Sequence, residues 1–234
     1  MVSVFTVTLG TIGDYRRAQR EEEMKRKKWI LGLALAAGVS SGASTVHAAN
    51  IIDEWASVKA PAAPALKPVT VDPKNTALLM LDFLHANCNP EHGKRCMASL
   101  PIAKKLLDEA RSKQMLVVYS AFGKFGAKDV WADVAPKGNE PFVVTFLDKF
   151  IGTDLDKILK EKGIKTVIVV GSAANGAAFG TASGAAQRGF SVIVPVDGIS
   201  SDDLYAEQSA VWNMVHAPVI SSKITLTTVD MMKF

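Results

Sequence analysis

The sequence predicts an α/β fold of three layers, α-β-α, built on a mostly parallel, doubly wound sheet. Three observations predict it. Apolar, β-branched runs recur along the chain (TALLML from 76, MLVVYSAF from 115, TVIVV from 166, SVIVPV from 191), the pattern of strands buried on both faces. Segments with helical spacing alternate with those runs throughout. Residues 165–201 join strand, helix and strand by short connections, which is a parallel βαβ unit. No internal repeat or coiled-coil heptad is present.

Taken in order, the front of the chain is set apart from this pattern. Residues 1–23 carry no apolar periodicity and precede a second possible start at Met24, so they read as an over-extended start or a disordered leader. Residues 24–48 then show a basic stretch (MKRKK), an apolar stretch (29–39) and a small-residue stretch ending Val46-His47-Ala48. That is the layout of a secretory signal peptide cut near Ala48, and it predicts an exported, periplasmic protein. The apolar stretch is short for a bilayer span, which leaves a retained anchor as the competing reading. Residues 49–74 are a Pro/Ala-rich arm with little tendency to helix beyond a turn or two at 50–57. The folded domain is expected over 75–234.

Within it, residues 76–81 form a first buried strand ending at Asp82. Residues 99–114 space Leu100, Ala103, Leu106, Leu107 and Ala110 as a helix, with Pro101 in its first turn. A second strand covers 115–122, a long aperiodic connection covers 123–140, and a third strand covers 142–146. Thr153 is placed to cap a helix that stops at Gly163. The strand at 166–170, a helix over 174–188 closed by Gly189, and the strand at 191–196 make the central unit. A helix over 201–216, capped by Ser200 or Ser201, and an edge strand over 223–228 complete the domain.

Charge narrows the partners. Of 27 basic and 23 acidic residues, 7 and 4 precede Ala49, leaving 20 against 19 in the mature chain. The basic balance belongs to the leader, so neither nucleic acid nor, after cleavage, a membrane is expected as a partner. Cys88 and Cys96 lie close together in a loop-like stretch. In an exported chain they suggest a disulfide closing a short loop; metal ligation with His85 or His92 is the alternative.

Ligands of parallel sheets bind at the carboxyl ends of strands, here near 171–177 and 195–201. Asp82 ends the first buried strand at that edge, where a poorly solvated carboxylate suits proton transfer; as an isolated residue it would read as a loop cap. The pieces ALLMLDF, KFIGTDLDKILKEKGIKTVIVVG and SAANGAAFGTASGAAQRGFSVIVPVDGIS, in this order over most of 75–205, resemble the isochorismatase-like, or cysteine hydrolase, superfamily. The resemblance implies a parallel sheet carrying an Asp, a Lys and a nucleophilic Cys. It also implies a cis peptide bond before Ala173 and backbone amides at 173–178 that bind substrate, with Ala173, Ala174, Asn175 and Gly176 as the candidate binding positions.

Two positions depart from the family pattern. Aligned between Gly171 and Gly189, Ala177 stands where the family has its Cys, and a methyl group is no nucleophile. The lysine should lie within 143–145, where there is none; Lys149 is the nearest and is the remaining catalytic candidate, provided it reaches the site from a different backbone position. Asn175 either presents its amide to a ligand or caps a helix, and Tyr205, Glu207, Gln208 and Trp212 either line a pocket or pack an interface. Family nicotinamidases hold a metal between the first two strands, but His85, Glu91 and His92 lack the spacing, so neither metal nor cofactor is expected.

Three functions follow. One is an exported hydrolase using Asp82 as acid or base on a small molecule; isochorismatases with a small residue at the Cys position hydrolyse a vinyl ether by such acid chemistry. The second is a catalytically degenerate small-molecule-binding protein. The third is a scaffold whose arm wraps a partner subunit in a homo-oligomer.

Overall fold

The computed structural model describes residues 49–234; the expected leader (1–23) and signal peptide (24–48) lie outside them. The chain divides into two units at Lys59 and Ala60. Of the first, a 3-10 turn at Trp55–Ser57 is described, with Asn50 Oδ1 accepting from the amide of Ile52 (2.9 Å).

The second unit is built on nine strands: β1 (Val69–Thr70), β2 (Thr76–Leu81), β3 (Leu116–Ala121), β4 (Phe142–Val144), β5 (Thr166–Ser172), β6 (Ser191–Pro195), β7 (Ile199–Ser200), β8 (Ile224–Thr227) and β9 (Met232–Lys233). Four helices accompany them: α1 (Lys94–Ser112), α2 (Leu155–Glu161), α3 (Phe179–Gln187) and α4 (Leu204–His216). The main sheet runs β4-β3-β2-β5-β6-β8, with β7 pairing the end of β5, and every pairing in it is parallel.

The continuous apolar runs explain the centre. All six residues of β2 are buried, because both sheet faces are covered. On one face Leu79, Leu81, Val167 and Val169 pack with Leu155 and Leu159 of α2, Ala182 of α3 and Met214 of α4. On the other, Leu78, Met80, Ile168 and Val170 pack with Leu100, Leu106 and Leu107 of α1. This is the expected α-β-α order, and each such Leu contributes about 1.5–3 kcal/mol by leaving water.

Several boundaries differ from the sequence expectation. α1 starts earlier, at Lys94, so Pro101 lies inside the helix rather than in its first turn. The start is fixed by the Cys88–Cys96 disulfide and by Gly93, whose φ is +79° and where a Cβ would lie 2.1 Å from the Asn87 carbonyl oxygen. α2 begins at Leu155, and although Asp154 is the residue before it, Asp154 makes no side-chain cap; the Thr153 hydroxyl accepts from the Leu155 amide (3.2 Å). α4 begins at Leu204, and the Asp203 side chain, not Ser200 or Ser201, accepts from the Ala206 amide (2.8 Å). The helix expected from 174 is a π turn at Ala174–Ala178 followed by α3. The arm is not wholly unpaired, since β1 lies parallel to β9.

Candidate functional site

The register of three strands assembles the site. Leu81 pairs with Ser120 on β3 and with Gly171 on β5, so the next residue, Asp82, emerges at the carboxyl edge between those strands. Its φ is +55°, a left-handed conformation that Asp tolerates better than most side chains. Gly171 is required beside it: its φ is +139°, and a Cβ there would come 2.0 Å from the Leu81 carbonyl oxygen.

Asp82 is buried, with two partners. Ser120 Oγ donates to Oδ1 (2.6 Å) and Lys149 Nζ donates to Oδ2 (2.8 Å). Lys149 is 0% exposed. The resemblance places a lysine within 143–145; the fold supplies one from further along the chain. After β4 the backbone bends back, and Thr145 and Phe146 turn their carbonyls onto the same amine at 2.9 and 2.7 Å, with the Ala121 carbonyl at 3.4 Å. Burial raises the Asp82 carboxyl above its ordinary range, against the pull of Lys149 and the Ser120 hydroxyl. Burial also lowers the Lys149 amine, against the pull of Asp82. Every neighbour of Nζ named above is an acceptor, so the cage suits the ammonium, whose three protons it uses up. Lys149 is therefore a fixed charge rather than a free nucleophile.

The peptide bond between Ser172 and Ala173 is cis. It leads into the π turn, where Ala174 is buried, Gly176 takes a non-helical conformation (φ −114°, ψ −107°) and Ala177 is 4% exposed. Asn175 does not cap a helix, because the π turn and α3 have no side-chain cap. Its Oδ1 accepts from Ser201 Oγ (2.9 Å) and its amide donates back to that oxygen. Ser201 is held in turn by its own amide on Glu207 Oε1 (2.9 Å), and Arg95 Nε donates to the same carboxylate.

Cys88 and Cys96 form the disulfide, which leaves neither thiolate for a metal. His85 rests against Trp131, ring centres 4.1 Å apart, and the Trp131 indole donates to the Cys88 carbonyl. Glu207, Gln208 and Trp212 line a cavity of about 360 Å³ together with arm residues Pro61 to Pro64, Val196 and Ile199; Tyr205 is largely exposed.

Ser120 was not singled out from sequence, although its signal was present: it is the polar residue near the end of an apolar strand level with the end of β2. Chemically, the arrangement offers one carboxyl group whose proton affinity is set by burial and by a caged ammonium, beside a turn of small residues. It offers no nucleophilic side chain at 177.

The Isochorismatase domain family matches residues 76–224. Among solved structures, an isochorismatase family protein from Desulfovibrio vulgaris is similar at TM-score 0.60 and 20% identity, covering 67% of this chain and 95% of that one. A cysteine hydrolase from Pseudomonas syringae gives 0.61 and 20%, covering 73% and 95%. A nicotinamidase from Staphylococcus aureus gives 0.56 and 21%, covering 62% and 96%. At these identities the likeness is one of fold. A comparison with curated proteins gave no match.

Proposed function

The chain belongs to the isochorismatase family, whose domain covers residues 76–224, and from that premise we propose that it is an exported hydrolase acting on a small molecule by acid–base chemistry at Asp82, without a cysteine nucleophile. The observation that carries the reading is the buried Asp82–Lys149 pair at the carboxyl edge of the sheet; the resemblance between Gly171 and Gly189, which sets Ala177 where the family has its cysteine, supports the absence of a nucleophile.

Each carboxylate oxygen of Asp82 has one partner and keeps a second lone pair. Asp82 gives its proton to the amide nitrogen or to the terminal carbon of a vinyl ether. Water adds to the electrophilic carbon and returns one proton to Asp82, and the bond from that carbon to the leaving nitrogen or oxygen breaks; a vinyl ether's leaving oxygen takes the hydroxyl proton of the hemiketal as it departs. No covalent intermediate forms, because no side-chain nucleophile takes part. The role of Lys149 is electrostatic: it holds Asp82 in place and balances its charge when the proton has left. The backbone at 173–176 is the substrate-binding wall. Export accords with the basic and apolar front of the sequence and with the disulfide, a bond that persists in oxidising compartments.

Ala177 also favours a second reading, a catalytically silent protein that binds a small molecule in the same place or serves as a scaffold. Incubation with a panel of amides and vinyl ethers, followed by intact-mass analysis, separates the two. The hydrolase reading predicts turnover with no mass adduct on the protein; an acyl adduct would overturn the water-attack mechanism, and binding without turnover would favour the silent protein. N-terminal sequencing of the mature chain should begin near Ala49; a mature chain retaining residues 24–48 would contradict export by cleavage.

A further inference from the structure

Lys149 reaches Asp82 from the segment that follows β4, and that segment lies against α3. The segment from Leu147 to Lys149 runs close against one face of that helix. A Cβ on Gly180 would sit 2.9 Å from both the carbonyl carbon and oxygen of Leu147, and 3.2 Å from the Asp148 amide nitrogen. One turn further on, a Cβ on Gly184 would meet both carboxylate oxygens of Asp148 at 2.5 Å. The first contact is with backbone, which cannot rotate away. Between the two glycines, Thr181 is fully buried. Its hydroxyl accepts from the Lys149 amide (3.2 Å) and donates to the Leu147 carbonyl (3.3 Å).

The other end of the segment is tied as well. Asp148 Oδ1 accepts from the Phe150 amide (3.0 Å), and Thr153 Oγ1 donates to the Lys149 carbonyl. Arg188, on the residue following α3, lies over the Phe150 ring at 4.5 Å and donates to the Gly184 carbonyl (2.9 Å). The backbone that carries Lys149 is thus held on both sides, and its own carbonyls at 145 and 146 complete the cage around Nζ.

We propose that Gly180 and Thr181 are positioning residues: they seat the 147–149 segment against the α3 backbone and so deliver the Lys149 ammonium to Asp82. The proposal rests on the reading that the Asp82–Lys149 pair is the working centre. Its mechanism is steric and local. With a side chain at 180 the segment must stand off the helix, the Thr181 bonds to it are lost, and the amine can no longer span to the carboxylate.

The test uses two physical readouts on the full chain, neither of which needs a substrate. One is the rate at which a water-soluble acetylating reagent modifies Lys149, followed by peptide mass spectrometry with the exposed lysines as internal reference. The other is the titration of the Asp82 carboxyl carbon by NMR. In Gly180→Ala and Thr181→Val, Lys149 acetylation should rise about tenfold relative to the reference lysines, as the segment opens more often. The Asp82 carboxyl should titrate at higher pH, because the ammonium that opposes burial has withdrawn. Thr181→Ser keeps the hydroxyl and should match the parent in both. Folded Gly180→Ala and Thr181→Val proteins with parental Lys149 protection and parental Asp82 titration would overturn the proposal. If Gly180→Ala does not fold, the Thr181→Val and Thr181→Ser pair decides the matter alone. Shifts in both readouts with no turnover of any substrate, even by the parent, would uphold the seating while removing the hydrolase reading.

Discussion

Lys149 and Asp82 are each costly to bury and tolerable together. Replacing Lys149 by Met leaves a carboxylate in the interior with only the Ser120 hydroxyl beside it, a loss of about 3–5 kcal/mol near neutral pH. The pH dependence has a definite sign. Burial already raises the Asp82 carboxyl and Lys149 opposes the rise, so the variant raises it further. A raised carboxyl keeps its proton in the folded state where the unfolded chain has lost it, and stability then falls as pH climbs from the ordinary carboxylate range through the folded value. Urea unfolding over a pH series should show the deficit of Lys149→Met growing as pH climbs past the parental Asp82 value, which already lies above the ordinary carboxylate range; a deficit independent of pH would contradict the pairing. Asp82 was legible in sequence because it interrupts an apolar run at a strand end. Lys149 was legible only as the nearest lysine, since its reach depends on how closely residues 147–149 approach α3, where a Cβ on Gly180 would stand 2.9 Å from the Leu147 carbonyl.

At the scale of elements, strands were easier to read than helix starts. A strand buried on both faces writes itself as a continuous apolar run, as β2 and β5 do. The start of α1 is instead set by a crosslink and a left-handed glycine, features without periodicity. The π turn resembled an ordinary helix because its residues are small and apolar; only the backbone at Gly176 distinguishes it. The Cys88–Cys96 bridge spans a separation of 8 residues and anchors both the loop after β2 and the first turn of α1. Converting both cysteines to serine should lower the unfolding free energy by about 2–3 kcal/mol, chiefly by freeing the unfolded chain. Equal denaturant midpoints for the parent and the double variant would show that the helix start is held by other contacts.

At the scale of the whole molecule, the alternation of apolar runs and helical segments was enough to give the layered parallel architecture, and the ordered motifs were enough to give the family. The pairing of β1 with β9 was not legible: two-residue strands carry no pattern, and their partners lie at opposite ends of the domain. The reaction also lies beyond the fold, because the same scaffold serves different chemistries according to the residues at its carboxyl edge. In this chain that edge carries a buried carboxyl group paired with a caged ammonium, and residue 177 beside it is an alanine. The account is therefore tested most directly by the hydrolysis rate of Asp82→Asn relative to the parent on whichever amide or vinyl ether the parent turns over. Proton transfer by Asp82 predicts a fall of about 10²–10⁴-fold, with the amide side chain preserving shape and near-UV circular dichroism confirming the fold; a folded Asp82→Asn protein that matched the parental rate would contradict it.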